Sequence, residues 1–163
     1  MYTGPHRYKI ILKDKEGSRA IDKKIKEGKV GKFTKPLVNN KQPKIYIIKD
    51  NGEIVYVGYT SQSITTRLNL GLKATGKDGY YGYKWKNVKD EFELCVFVFQ
   101  QTFTGDSEKD RVLREYVEAI EAELVYMVRQ ELGEWPKYQN EIHFNNNKRS
   151  SVLRVANNLY KYI

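Results

Sequence analysis

Residues 44–58 read Lys-Ile-Tyr-Ile-Ile-Lys-Asp-Asn-Gly-Glu-Ile-Val-Tyr-Val-Gly. Two runs of β-branched and aromatic residues, 45–48 and 54–57, flank a polar turn containing Asn51-Gly52, which predicts a β-hairpin. Both runs are apolar on both faces, so helices must cover the sheet from both sides. The expected fold is therefore α+β, with an α/β-like layering: a small central, mostly antiparallel sheet that starts with this hairpin and is flanked by helices. The turn decides where Tyr46 and Tyr56 point. A two-residue type I′ loop pairs Tyr46 with Val57 and sends the two tyrosines to opposite faces. A three-residue loop, Asp50-Asn51-Gly52, with Gly52 in the left-handed position, sets Tyr46 across from Tyr56. The sequence Asp-Asn-Gly suits the second, which predicts a bulged hairpin with both hydroxyls facing one cleft.

Gly58 ends the second run, and Ser61 or Ser63 can cap a helix of about ten residues with Ile64, Leu68 and Leu72 on one side. Arg67 lies off that stripe. A Gly/Tyr/Lys-rich irregular segment follows and leads into Lys84-Trp85-Lys86. Residues 92–99 form a central-strand candidate that buries Cys95 as a small inert hydrophobe. From Ser107 to Leu132 the spacing of Leu113, Tyr116, Val117, Ile120, Leu124, Met127 and Val128 is helical, and Gly133 ends the helix. Its flank carries Glu115, Glu118, Glu121 and Glu123, of which Glu121 and Glu123 border the apolar stripe on either side. Ser150 begins a last helix, long enough to pack on the body or on a partner, as in a homodimer.

The 163 residues suit one domain with an appendage. A single cysteine excludes an internal disulfide and a multi-cysteine zinc site, and with no membrane-length apolar run the expected setting is the cytoplasm. Residues 1–44 hold thirteen Lys and Arg against four Asp and Glu, whereas the rest of the chain holds sixteen of each. The whole positive excess sits in the first quarter, where it attracts a polyanion such as nucleic acid. The expected organisation is a basic N-terminal arm (1–43), a body (44–146) and a C-terminal helix (147–163). Within the arm, Tyr8, Ile10 and Leu12 alternate as in a strand, and residues 19–28 suit a short basic helix.

Gly71 to Asp78 copies a phosphate loop through GxxxxGK but ends in Asp where a hydroxyl should hold magnesium, and it follows a helix. Nucleotide hydrolysis is disfavoured. Two histidines, His6 and His143, do not make a zinc cluster. What remains is an ordered set: Tyr46, then Tyr56-Val57-Gly58, Arg67 one helix later, acidic residues on a long helix, and Asn140.

In order and approximate spacing this set resembles the GIY-YIG nuclease superfamily, over residues 44–140. Lys44 stands where the family has the glycine of its first tripeptide, and Val57 where the second has Ile. The position one turn after the arginine, often His or Tyr in the family, is Gly71 here, a place that Tyr81, Tyr83 or Lys84 is available to fill. The resemblance implies a phosphodiester-hydrolysing DNA endonuclease, restriction-like or phage-type in its compactness, with RNA also open as substrate. It implies that Glu123, with Glu121 as the alternate, binds one Mg²⁺ or Mn²⁺. It further implies that Arg67 stabilises the scissile phosphate, that Tyr56 helps deprotonate water and that Tyr46 orients it. Tyr56 serves as base only where nearby positive charge favours phenolate. Gly58, Lys84, Asn140 and His143 are supporting or DNA-contacting candidates. The rival function is a nucleic-acid-binding protein that keeps the fold and does not cut.

Overall fold

The computed structural model describes residues 1–77 and 79–163; Asp78, which closes the phosphate-loop-like run, lies outside the described residues. Six strands, β1 (Tyr2–Lys15), β2 (Ser18–Lys26), β3 (Lys29–Val30), β4 (Lys44–Asp50), β5 (Glu53–Thr60) and β6 (Glu91–Phe99), form one open sheet. Their order is β3-β2-β1-β6-β4-β5, and every paired neighbour is antiparallel. The helices are α1 (Ile64–Lys73), α2 (Ser107–Leu132) and α3 (Arg149–Tyr160). A mixed α+β fold with helices on both faces of the sheet is thus present.

Alternation along the central strands builds two cores. Tyr46, Ile48, Leu94 and Val96 face α1, whose Ile64, Leu68 and Leu72 are fully buried. Ile45, Ile47, Cys95 and Phe97 face α2 and α3. Burial pushes the Cys95 thiol up, to about 11, which leaves it an unreactive core residue. Local chemistry sets the helix bounds. Ser63 caps α1 by accepting from the Thr66 N–H at 3.1 Å, and Gly133 ends α2 in the left-handed conformation at φ 80°. No helix among the described residues is long and apolar enough to cross a membrane.

Two local expectations need correction. Residues 19–26 are not helical: they form β2, paired with β1 through a turn at Glu16-Gly17 whose φ angles are 48° and 76°. The basic segment therefore supplies β1, β2 and β3 of the same sheet. In the β4–β5 hairpin the loop is the two-residue one, with Asn51 and Gly52 at φ 51° and 87°, and Asp50 pairs with Glu53. A bulge just beyond it shifts the register, so that Ile48 pairs with Tyr56 and Tyr46 with Gly58. The bulge restores the parity that the tight turn removes, and Tyr46 and Tyr56 share a face as diagonal neighbours, not as a directly opposed pair.

Lys44, where the resembled family has glycine, is fully buried. Its ammonium donates to the carbonyls of Asn39, Gln42 and Gln62 at 2.7, 2.7 and 3.1 Å, and burial lowers its pKa to about 8. It ties the chain before β4 to the start of α1.

Candidate active site

Tyr46, Tyr56 and Tyr83 gather their hydroxyls beneath Arg67. Tyr83 Oη donates to the Arg67 carbonyl at 3.2 Å, which commits its only proton. Tyr46 therefore donates to Tyr83, at 3.0 Å, and accepts from Arg67 Nε, also at 3.0 Å. Tyr56, 3.5 Å from Tyr46, is left as the donor of the weakest link, with its oxygen lone pairs directed away from the chain of phenols. The terminal nitrogens of Arg67 find no acceptor among the described residues.

Two glycines make this cluster possible. A Cβ on Gly58 would stand 2.6 Å from Tyr46 Cζ and 2.7 Å from Tyr56 Cε1. One on Gly71 would stand 2.2 Å from the Tyr83 ring. The place one turn after Arg67 is thus filled by a tyrosine arriving from twelve residues further along the chain, through the space that Gly71 leaves. Of the three residues available for that place, Tyr83 takes it; the missing side chain at Gly71 was its signal in the sequence.

The two candidate carboxylates separate. On α2, Val117, Ile120, Glu121, Leu124, Val125 and Val128 face inward, and Glu121 is the charged member of that set, 3% exposed. It lines a cleft of about 390 Å³ together with Tyr56, Arg67, Asn140 and His143. Glu123 lies two residues on, roughly 200° around the helix, and lines a different cavity with Tyr126 and Arg149. The expected placement of Glu123 beside the tyrosines is therefore corrected to Glu121. Burial raises the Glu121 pKa, opposed by the facing His143, and its Oε2 has no hydrogen-bond partner among the described residues. His143 Nδ1 stands 3.6 Å from that oxygen, and the carboxylate raises the imidazole pKa. The Tyr59 hydroxyl, on the same cleft and unforeseen from the sequence, is a second buried polar atom without a hydrogen-bond partner among the described residues.

The remaining candidates are arranged around the rim. Gly58 lies under the rings, Lys84 is exposed on the cleft wall, and Asn140 Nδ2 is 3.5 Å from the Gly82 carbonyl. The segment bearing Asn140 and His143 is seated by Gln139, whose side-chain amide donates to the Val57 carbonyl (2.9 Å) and accepts from the Val57 N–H (3.0 Å). Nothing in the local pattern of the sequence marks Gln139 for this.

Among the described residues no three His, Cys, Asp or Glu side chains converge as a metal cage. A single buried carboxylate with an unpaired oxygen is nonetheless a fit for Mg²⁺, which keeps several waters and takes its other ligands from substrate phosphate. The free phenols are not bases. Burial, above all, raises Tyr46, Tyr56, Tyr59 and Tyr83, and the opposing charge of Arg67 at Tyr46, Tyr56 and Tyr83 does not cancel it. Their folded values exceed the unfolded value of about 10, so the stability they confer is complete below about pH 10 and falls as pH rises beyond it. Alkaline titration of tyrosinate absorbance should show fewer than the thirteen tyrosines ionising until the fold breaks, with the urea midpoint dropping from about pH 10 upward. Full tyrosinate absorbance with native circular dichroism would contradict this.

Compared with protein-family models, curated proteins and solved structures, the chain matches none.

Proposed function

We propose that the protein is a divalent-metal-dependent endonuclease acting on DNA. The observation that carries this is the pairing, across one cleft, of Arg67, whose terminal N–H groups have no acceptor among the described residues, and the buried carboxylate of Glu121, whose Oε2 makes no hydrogen bond among them and meets only the His143 imidazole at 3.6 Å. Arg67 receives the scissile phosphate, where planar paired donors match its oxygens as negative charge accumulates. Tyr46 fixes the Arg67 side chain through Nε and leaves its outer donors for substrate. Tyr56 presents lone pairs to the cleft, so a water there donates one hydrogen to it and turns its own lone pair toward phosphorus. The raised pKa of Tyr56 makes it an orienting acceptor in the free protein, not a proton sink. Glu121 would hold a cation, with Asn140 on the same cleft beside it; a bound Mg²⁺ would lower the pKa of the attacking water, whose proton would pass to bulk solvent, and would neutralise the departing oxygen. The basic β1–β2 region adds sequence-independent attraction for the phosphate backbone.

One observation favours the non-cleaving rival: His143 already faces Glu121 and competes with a metal for it. Supercoiled plasmid incubated with the protein decides between them. Nicked or linear product with Mg²⁺ or Mn²⁺, and none with EDTA, is the expected result. Retarded but uncut plasmid in every metal tested would favour the binder.

A further inference from the structure

A third cavity, of about 490 Å³, lies between the β1–β2 turn and the loop that follows α1. It shares four consecutive residues, Tyr81 to Lys84, with the cleft of Arg67 and Glu121, so the two adjoin along that segment as the two parts of a groove across it. Its two ends differ chemically. At the shared end Lys84 is exposed and has no acidic partner among the described residues, which suits a phosphate. At the far end Arg19 is held by Asp14 and Asp90, and Ser18, Thr75 and Asn87 complete the lining. That end offers hydrogen-bond donors and acceptors, with the Arg19 charge met by two carboxylates and the Lys86 ammonium turned to backbone carbonyls, which suits the edge of a base.

An aromatic platform stands at the join. Tyr81 is 73% exposed, and its ring lies against Gly76, where a Cβ would come within 2.4 Å of it. One face of the ring is thus supported by backbone and the other is open. The platform is held by Lys86, a buried lysine whose ammonium donates to the carbonyls of Tyr81 at 2.8 Å, Ala74 at 2.5 Å and Gly71 at 3.3 Å. One side chain therefore ties the ring's backbone to the last turn of α1, and with it to the helix that carries Arg67. An exposed ring on a mobile loop has no need of such an anchor; a fixed ring beside a cation and a polar cavity is the arrangement that stacks a base while its phosphate is held.

We infer that this groove binds an unpaired segment of nucleic acid, with one base stacked on Tyr81, the adjoining phosphate at Lys84 and the next base in the cavity beyond. The location of the cut relative to this segment rests on the nuclease reading; the binding does not. A paired base keeps its faces covered by its neighbours, so the groove selects strands with unpaired nucleotides beside the phosphate at Arg67.

Fluorescence anisotropy in EDTA tests this with a labelled single-stranded DNA twelve-mer, the RNA of the same sequence and the matching DNA duplex. Tyr81→Ala should weaken single-strand binding about tenfold, the order expected for losing one stacked base. Tyr81→Phe should retain it, and duplex binding should change less than about twofold in both. Lys84→Ala should weaken single strands and lower the salt dependence. Single-strand affinity unchanged in Tyr81→Ala, or an equal loss on the duplex, would overturn the assignment, as would failure of the wild type to bind either single strand. A preference between DNA and RNA arms identifies the sugar that the groove accepts. Tyr81-dependent single-strand binding without plasmid cleavage would sustain the groove and sink the nuclease reading. Metal-dependent cleavage with a silent Tyr81→Ala would do the reverse.

Discussion

Glu121→Gln is expected to abolish metal-dependent plasmid cleavage while Glu123→Gln cuts at the wild-type rate. The two glutamates are close in sequence and nearly opposite on α2, so the pair of variants reads the geometry of the site and not merely the acidity of the helix. Glutamine keeps the volume of Glu121 and removes the charge that would hold a cation. Because the native carboxylate is buried and its pKa is raised, the substitution should not destabilise the fold, and the melting temperature should stay at or above that of the wild type. Arg67→Ala removes the phosphate donors and should lower the rate by about 10²- to 10³-fold, the range found when one donor to a developing oxyanion is deleted. Raising Mn²⁺ should partly rescue Glu121→Gln and leave Arg67→Ala unchanged. Rates measured on supercoiled substrate at saturating protein check all three. Loss in Glu123→Gln with retention in Glu121→Gln would place the metal on the other side of the helix and overturn the site.

Gly58→Ala carries the second large effect. In an ordinary strand this change stabilises slightly, because alanine loses less backbone entropy. Here the added carbon meets two rings at 2.6 to 2.7 Å, and Tyr46 is completely buried with no direction in which to retreat. Forced displacement in a close-packed core costs about 1–3 kcal/mol, which for a chain of this size lowers the melting temperature by roughly 3–10 °C. The displaced phenols also lose their line to Arg67, so activity should fall further than stability accounts for. Thermal unfolding together with cleavage measured well below the melting temperature separates the two. A Gly58→Ala protein as stable as the wild type would show that the cluster yields easily.

Much of this was legible from residue patterns. The 3.6-residue period marks α2 and α3, an unbroken apolar run marks β6, and Ser61 and Ser63 mark the start of α1 to within two residues, Ser63 being the cap. The β2 strand was not legible as such. Ile21 and Ile25 are four residues apart, a helical spacing, yet a bulge at Asp22 pairs them with Leu12 and Lys9, so they serve opposite faces of the sheet. The hairpin turn misleads for the same reason: a bulge between Ile48 and Lys49, just beyond the turn, decides which way Tyr46 points, and no local signal announces it. Glu121 is visible as one of two carboxylates, and its position in the buried stripe, four residues from both Val117 and Val125, separates it from Glu123. Tyr83 reached its place through tertiary packing that only Gly71 hinted at.

The Gln139 amide pairs with both polar groups of the Val57 peptide, as a neighbouring strand would. β5 is the last strand of the sheet, and the Tyr138 N–H adds a bond to its Val55 carbonyl. The peptide groups that a second chain would need for strand addition are therefore occupied at the middle of this edge. The connection that frames the cleft also blunts this edge of the sheet against pairing with another chain.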